Sequence, residues 1–139
     1  MESHSLATEP SWWARSGPPN LLEVFLGGVY LWFGALKLAG CSPMVAFLKE
    51  VWAPLGEGPL FVALALFEVT AGLALLAGVG KKAAAAAILV HLAGTFGSMA
   101  CVPHLVFRPH FPVLTLEGEF VVKNLVFAAA AVGILRGSR

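Results

Sequence analysis

Hydrophobic positions along the chain fall into four long runs, at residues 21–39, 60–79, 83–102 and 120–135, of 19, 20, 20 and 16 residues. At roughly 1.5 Å per residue as helix, such runs reach about 24–30 Å, close to the hydrocarbon thickness of a bilayer. The fourth is short, but Glu117 and Glu119 can lie at headgroup level and lengthen it, so the spans are placed at about 21–39, 60–79, 83–102 and 118–135. Strands would leave backbone N–H and C=O groups unpaired in lipid, so helices are the expected state. The fold class expected is an all-α membrane protein: a four-transmembrane-helix bundle in one domain, residues 20–136, preceded by a cytoplasmic segment, residues 1–19.

The connections set the topology. Val79-Gly80-Lys81-Lys82 is a tight basic turn, which predicts an antiparallel hairpin of the second and third helices, whereas residues 41–59 and 103–118 are longer loops. Four spans place both termini on one side. Arg15, Lys81, Lys82, Arg136 and Arg139 share that side, against Lys49 and Arg108 on the other. The excess of basic residues predicts cytoplasmic termini in a multi-pass protein of the cell (inner) membrane. Residues 1–20 are polar, broken by Pro10, Pro18 and Pro19, and lack the apolar core of a signal peptide; the first span is expected to be a retained anchor. Trp12 and Trp13 suit an aromatic belt at the inner surface.

In the first outer loop, Met44, Phe47, Leu48, Val51, Trp52 and Leu55 recur at helical spacing with Lys49 and Glu50 on the opposite face. This predicts a short amphipathic helix over residues 43–52, started by Ser42 before Pro43 and lying on the outer surface. The second outer loop, with Pro103, Pro109 and Pro112, is expected to be irregular but ordered.

Composition agrees. The chain is 58% hydrophobic and 12% charged, with mean hydropathy +0.83, and a charge fraction about half that of soluble domains leaves too little polar surface for a water-exposed globule. A net charge of +1 and no basic stripe give no footing for nucleic acid. There is no phosphate loop, dinucleotide fingerprint or nucleophile elbow.

Ionisable groups in hydrocarbon are expensive, at roughly 2.5–3.5 kcal/mol each on insertion scales, so their positions carry the most information. Glu23, Gly27, Tyr30, Gly34, Lys37 and Cys41 form one stripe on the first helix, mixing polar groups with small residues that allow close approach. The stripe is either a binding face or a packing seam with its charged ends at the two surfaces. Glu68 lies near mid-membrane on the second helix with Gly72 one turn away; it must be neutral or paired with a cation. It is read as a ligand or proton site, or as a neutral glutamic acid tying helices together. His91 is near the midplane of the third helix, with Gly94, Thr95 and Ser98 continuing its face and no second ligand at i+4, so no metal site is expected. On the fourth helix Glu119 and Lys123 are four apart with Asn124 adjacent. With Lys37 at the same depth they predict an outer-leaflet polar site, or an interfacial salt-bridge network. Cys41 and Cys101 end the first and third helices on one side, where a disulfide, a redox-active pair or two unpaired buried thiols are possible. His104 and His110, six residues apart on a proline-broken loop, are a weak signal for a metal.

Three segments resemble the DoxX/DoxD-like family of small integral membrane proteins: Phe33-Gly34-Ala35-Leu36-Lys37; Phe67-Glu68-Val69-Thr70-Ala71-Gly72 running into Leu73-Ala74-Leu75-Leu76-Ala77-Gly78; and the stretch from Leu114 through Glu117, Glu119, Lys123 and Asn124 to Leu125. The resemblance covers about residues 20–135. It implies a four-helix membrane protein, in some relatives a subunit of a quinone-linked oxidoreductase such as thiosulfate:quinone oxidoreductase, with Lys37, Glu68, Glu119 and Lys123 at the family's intramembrane polar positions. No intrinsic cofactor is expected, and a quinone is the candidate guest. Besides the lipid membrane, a protein partner or a second copy of the chain is the expected partner. The alternatives are a non-catalytic anchor or assembly protein, and an oligomeric carrier of small solutes.

Overall fold

A computed structural model describes residues 17–137. Arg15, Arg139, Trp12, Trp13 and most of the N-terminal segment lie outside the described residues, and with them part of the charge count behind the expected orientation. Among the described residues seven helices follow in order: α1 (Leu21–Leu38), α2 (Val45–Val51), α3 (Ala53–Gly56), α4 (Gly58–Ala77), α5 (Lys81–Cys101), α6 (Pro103–Val106) and α7 (Leu116–Gly137). Helices α1, α4, α5 and α7 are each long and apolar enough to cross a membrane, as a multi-pass membrane protein requires. Phe25, Trp32, Leu66, Leu73, Val90, Leu125 and Val126 are exposed on their exteriors.

Local chemistry fixes the helix ends. Asn20 caps α1: Glu23 N donates to Asn20 Oδ1 at 2.9 Å, and Asn20 N donates to Glu23 Oε2 at 2.8 Å, so two otherwise unpaired donors are satisfied reciprocally. Gly78 closes α4 in the left-handed conformation (φ 70°) and Gly80 opens α5 with φ 57°. The turn between them can therefore be tight, because both positions suit a residue without Cβ. Lys81 then reaches back to Glu23 Oε2 (2.9 Å) and to the Pro18 carbonyl (2.9 Å), fastening the start of α1 to the α4–α5 hairpin. We call this the hairpin end and the opposite pole, with α2, α3 and α6, the loop end.

Small residues organise the packing. The closest helix pair is α1 with α4, and next α5 with α7. A Cβ added at Gly72 would stand 2.5 Å from Leu31 N and 2.6 Å from the Gly27 carbonyl; one at Gly34 would stand 2.8 Å from Ala65 O and Val69 N. Close backbone approach of this kind is how helices associate where solvent supplies no hydrophobic drive. One core at the hairpin half gathers Leu26, Leu75, Ile88, Leu92, Ala131 and Ile134; a smaller one at the loop half joins Phe47, Val102, Val106 and Val121.

Both loops depart from the sequence expectation. The first helical segment begins at Val45 with Met44 as its cap residue and no side-chain cap, so Ser42 does not start it. It stops at Val51, since Pro54 has no N–H to give to the Glu50 carbonyl and Trp52 turns extended. Trp52, expected on the apolar inner face, is consequently exposed, while Phe47 is buried and Lys49 pairs with Glu57 at 2.6 Å in solvent-accessible surroundings. The second loop is more regular than expected. It contains the α6 turn and an antiparallel bridge between Phe107 and Leu114. Thr115 Oγ1 donates to Leu105 O at 2.6 Å and accepts from Gly118 N at 3.0 Å, which starts α7 at Leu116.

Candidate functional site

A cavity of about 340 Å³ opens among α1, α4, α5 and α7 in the loop half of the bundle. That volume falls within the range of small-molecule sites. Its walls are largely apolar, with Pro43, Met44, Leu48 and Leu55 as a roof and Phe33, Phe120 and Phe127 along the sides. Tyr30, Lys37, Glu68, His91 and Asn124 bring polar atoms to it from all four long helices.

Lys37 Nζ donates to both carboxylate oxygens of Glu68, at 2.9 Å to Oε1 and 2.7 Å to Oε2, with the two side chains 9% and 6% exposed. This corrects the expected outer-leaflet cluster of Lys37 with Glu119, Lys123 and Asn124. Side chains on a helix lean toward its N-terminus. On α1 that lean carries Lys37 away from the loop end, while on the antiparallel α4 it carries Glu68 toward it. The glycine contacts at Gly34 and Gly72 bring the helices close enough for the two to meet. Glu119 and Lys123 form their i,i+4 pair at 3.6 Å, but both are more than half exposed and line no part of the cavity.

His91 joins the pair from α5. Its Nε2 faces Glu68 Oε1 at 3.5 Å and its Nδ1 lies 3.1 Å from the Tyr30 hydroxyl. With the tyrosine donating to Nδ1, the neutral ring carries its proton on Nε2, the tautomer that avoids opposing a lone pair to the carboxylate. Tyr30 meets the ring edge-on (centroids 5.7 Å) and Phe67 tilts against it (5.4 Å), so the imidazole is held from two sides. The result is a continuous series, Tyr30–His91–Glu68–Lys37, spanning three helices. Thr95 and Ser98 are less available than their position suggests, because their hydroxyls donate to the His91 and Thr95 carbonyls of their own helix.

Asn124 differs from these. It is 7% exposed, it lines the cavity from α7, and its side-chain amide has no hydrogen-bond partner among the described residues. No side-chain N or O atom that is itself buried lacks a partner among the described residues, so the amide keeps accessible surface where Asn124 lines the cavity and can bond a molecule there. Two of the three Lys37 N–H groups are taken by Glu68, leaving a third.

The remaining expectations resolve as follows. The stripe on α1 is buried from Glu23 through Gly27, Tyr30 and Gly34 to Lys37, but Cys41 lies beyond the helix end and is exposed. Cys41 and Cys101 are both free and exposed, so they are neither disulfide-bonded nor buried. His110 Nδ1 lies 3.0 Å from the adjacent Phe111 carbonyl. Among the described residues no three His, Cys, Asp or Glu side chains converge as a metal site would need. The Glu23–Lys81 pair carries no signal in the sequence, where Lys81 reads only as a topological charge. Nor does Phe67, whose apolar side chain has no chemical signal of its own.

Compared with family models, curated proteins and solved structures, the chain matches none.

Proposed function

We propose that this chain is a membrane subunit that binds a quinone in the cavity and manages protons for a quinone-linked oxidoreductase, in the manner of some DoxX-like proteins. One observation carries the reading: a donor–acceptor series buried at Tyr30, Glu68 and Lys37 and half-buried at His91, and an Asn124 amide without a partner among the described residues, face a single apolar slot. Free polar groups in an apolar slot suit a flat molecule with a carbonyl or hydroxyl at its edge and hydrocarbon elsewhere. When bound, a quinone supplies a proton-coupled redox couple. The chain's own residues do the rest. Asn124 and the remaining Lys37 N–H orient the head by donating to oxygen, and Glu68 accepts from a hydroxyl. Tyr30 and His91 form a proton-conducting connection behind Glu68, and the phenyl rings of Phe33, Phe120 and Phe127 exclude water. Electrons come from a partner redox subunit.

In this reading both termini are cytoplasmic, α2 lies on the outer membrane surface with Lys49 and Glu50 toward water, and the motif resemblance in α1, α4 and α7 supports the assignment. The test is binding of tetramethyl-benzoquinone to the purified protein, and its reduction in membranes, for wild type, Glu68→Gln and His91→Ala. Binding by wild type that both variants weaken is the expected result. Absence of binding by wild type, or binding untouched by either substitution, removes the proposal.

A second reading is favoured by the loop end itself, where Trp52, Phe111, Val113 and Leu116 are all exposed, Phe111 with its ring against the edge of Phe107. It makes the chain an anchor or assembly protein for a partner. Co-purification of a partner that Phe111→Ser abolishes and Glu68→Gln leaves intact would favour it over the first.

A further inference from the structure

The walls of the cavity are not equally thick. Between α1 and α7 it is shut by Phe33 against Phe120, with ring centroids 5.4 Å apart. Toward the loops it is roofed by α2, whose Phe47 is buried. Toward the hairpin end Tyr30 meets His91 edge-on and Phe67 tilts against the same ring. Between α4 and α5 the lining is Leu64 on one side and Val90 and Gly94 on the other. Val90 is 74% exposed, and so belongs to the cavity wall and to the lipid-facing exterior at once. Gly94 contributes no side chain one turn from His91, and no atom stands within 4 Å of where its Cβ would be.

Taken with the reading that the cavity holds a small guest, on which this rests, we infer that the gap at Leu64, Val90 and Gly94 is a lateral portal from the bilayer. Its edges are apolar, and the polar atoms of Lys37, Glu68, His91 and Asn124 lie deeper. A guest therefore arrives from hydrocarbon with its hydrogen-bonding head leading, and its tail stays in the portal or in the lipid beyond. The ligand class is a lipid-dissolved amphiphile with a compact polar head. A water-soluble solute would have to come through the roof of Pro43, Met44, Leu48 and Leu55, where Ser42 is the polar side chain in the lining.

Gly94 and Gly97 provide a matched pair of probes. Both are exposed on α5 with nothing within 4 Å of an added Cβ, so either accepts a side chain without disturbing the bundle; only Gly94 lines the cavity. The experiment reconstitutes wild type, Gly94→Trp and Gly97→Trp in phospholipid vesicles. Each is labelled with a small apolar aryl diazirine that partitions into the bilayer core, and adducts are mapped by mass spectrometry at Tyr30 and Asn124. These residues are 4% and 7% exposed, so a carbene reaches them only from inside the cavity. The expected result is labelling of both in wild type and in Gly97→Trp, falling by an order of magnitude in Gly94→Trp. Gly94→Leu serves as the plug if the tryptophan variant does not fold. Undiminished labelling behind a plug, no adducts in wild type, or stronger labelling from a water-soluble diazirine would overturn the portal. Parallel binding of tetramethyl-benzoquinone separates the two ideas. Lipid-side labelling blocked by Gly94→Trp in a protein that binds no quinone supports the portal and rejects only the quinone.

Discussion

Breaking the Lys37–Glu68 pair should cost far more than removing it. Both partners are nine-tenths buried, and one ammonium satisfies both oxygens of one carboxylate at 2.9 and 2.7 Å. Lys37→Met leaves the carboxylate with only the 3.5 Å approach of His91 Nε2. Glu68→Met leaves an ammonium facing Tyr30, His91 and hydrocarbon. Stranding one member of a buried pair costs about 3–5 kcal/mol, whereas replacing both with apolar groups of similar volume is often neutral or stabilising. Each single variant is therefore expected to lose about 3 kcal/mol or more. The double variant is expected within about 1 kcal/mol of wild type, giving a coupling of several kcal/mol in the double-mutant cycle. The assay is reversible unfolding in mixed micelles of increasing dodecyl sulfate content, followed by far-ultraviolet circular dichroism. Single variants each losing less than about 1 kcal/mol, or losses that add in the double variant, would refute a closed buried pair. The double variant should also bind no quinone while remaining folded, which separates the pair's chemistry from its contribution to the fold.

Gly72→Ala is expected to destabilise by about 1–3 kcal/mol through collision with the α1 backbone, while Gly97→Ala, in open space, should be neutral or gain up to about 1 kcal/mol from helix propensity; thermal unfolding in detergent distinguishes them. Asn124→Leu breaks no hydrogen bond and should leave stability within about 1 kcal/mol, yet lower quinone affinity by an order of magnitude in a binding titration. Lys81→Met removes the charged hydrogen bond to Glu23 and the bond to the Pro18 carbonyl, with an expected loss of about 1.5–3 kcal/mol on the same unfolding scale. Cys41 and Cys101, free and exposed at the loop end, should react with a membrane-impermeant maleimide from the outer side alone and without prior reduction; labelling only from the cytoplasmic side would invert the orientation.

The long helices were legible because length and apolarity set them directly: the span edges expected at residues 21–39, 60–79 and 83–102 differ from those of α1, α4 and α5 by a residue or two. The stripe on α1 was legible too, since 3.6-residue periodicity puts Glu23, Tyr30 and Lys37 on one face whatever their partners are. Partnering was not. Depth along a helix suggested grouping Lys37 with Glu119 and Lys123, but a side chain five bonds long leans toward its helix N-terminus and meets what the facing helix offers, which is Glu68. The same limit hid Glu23–Lys81, where residues far apart in sequence meet because α1 and the α4–α5 turn share an end. In the loops the single missing N–H of Pro54 decided where α2 could stop. His91 was picked as a polar residue at mid-span; that its ring links Tyr30 to Glu68 depends on helix rotation, which a periodicity pattern does not fix across helices.

Lys37 and Glu68, the charged pair buried within these apolar helices, look inward onto a slot that suits a guest. A crystal structure of the protein grown from a lipid phase with added quinone tests this most directly. Ring-shaped density is expected in the cavity, with one edge within hydrogen-bond distance of Asn124 and the Lys37–Glu68 pair, and a tail emerging beside Val90 and Gly94. A slot collapsed by its own side chains, or a Glu68 carboxylate turned outward to acyl chains, would contradict it.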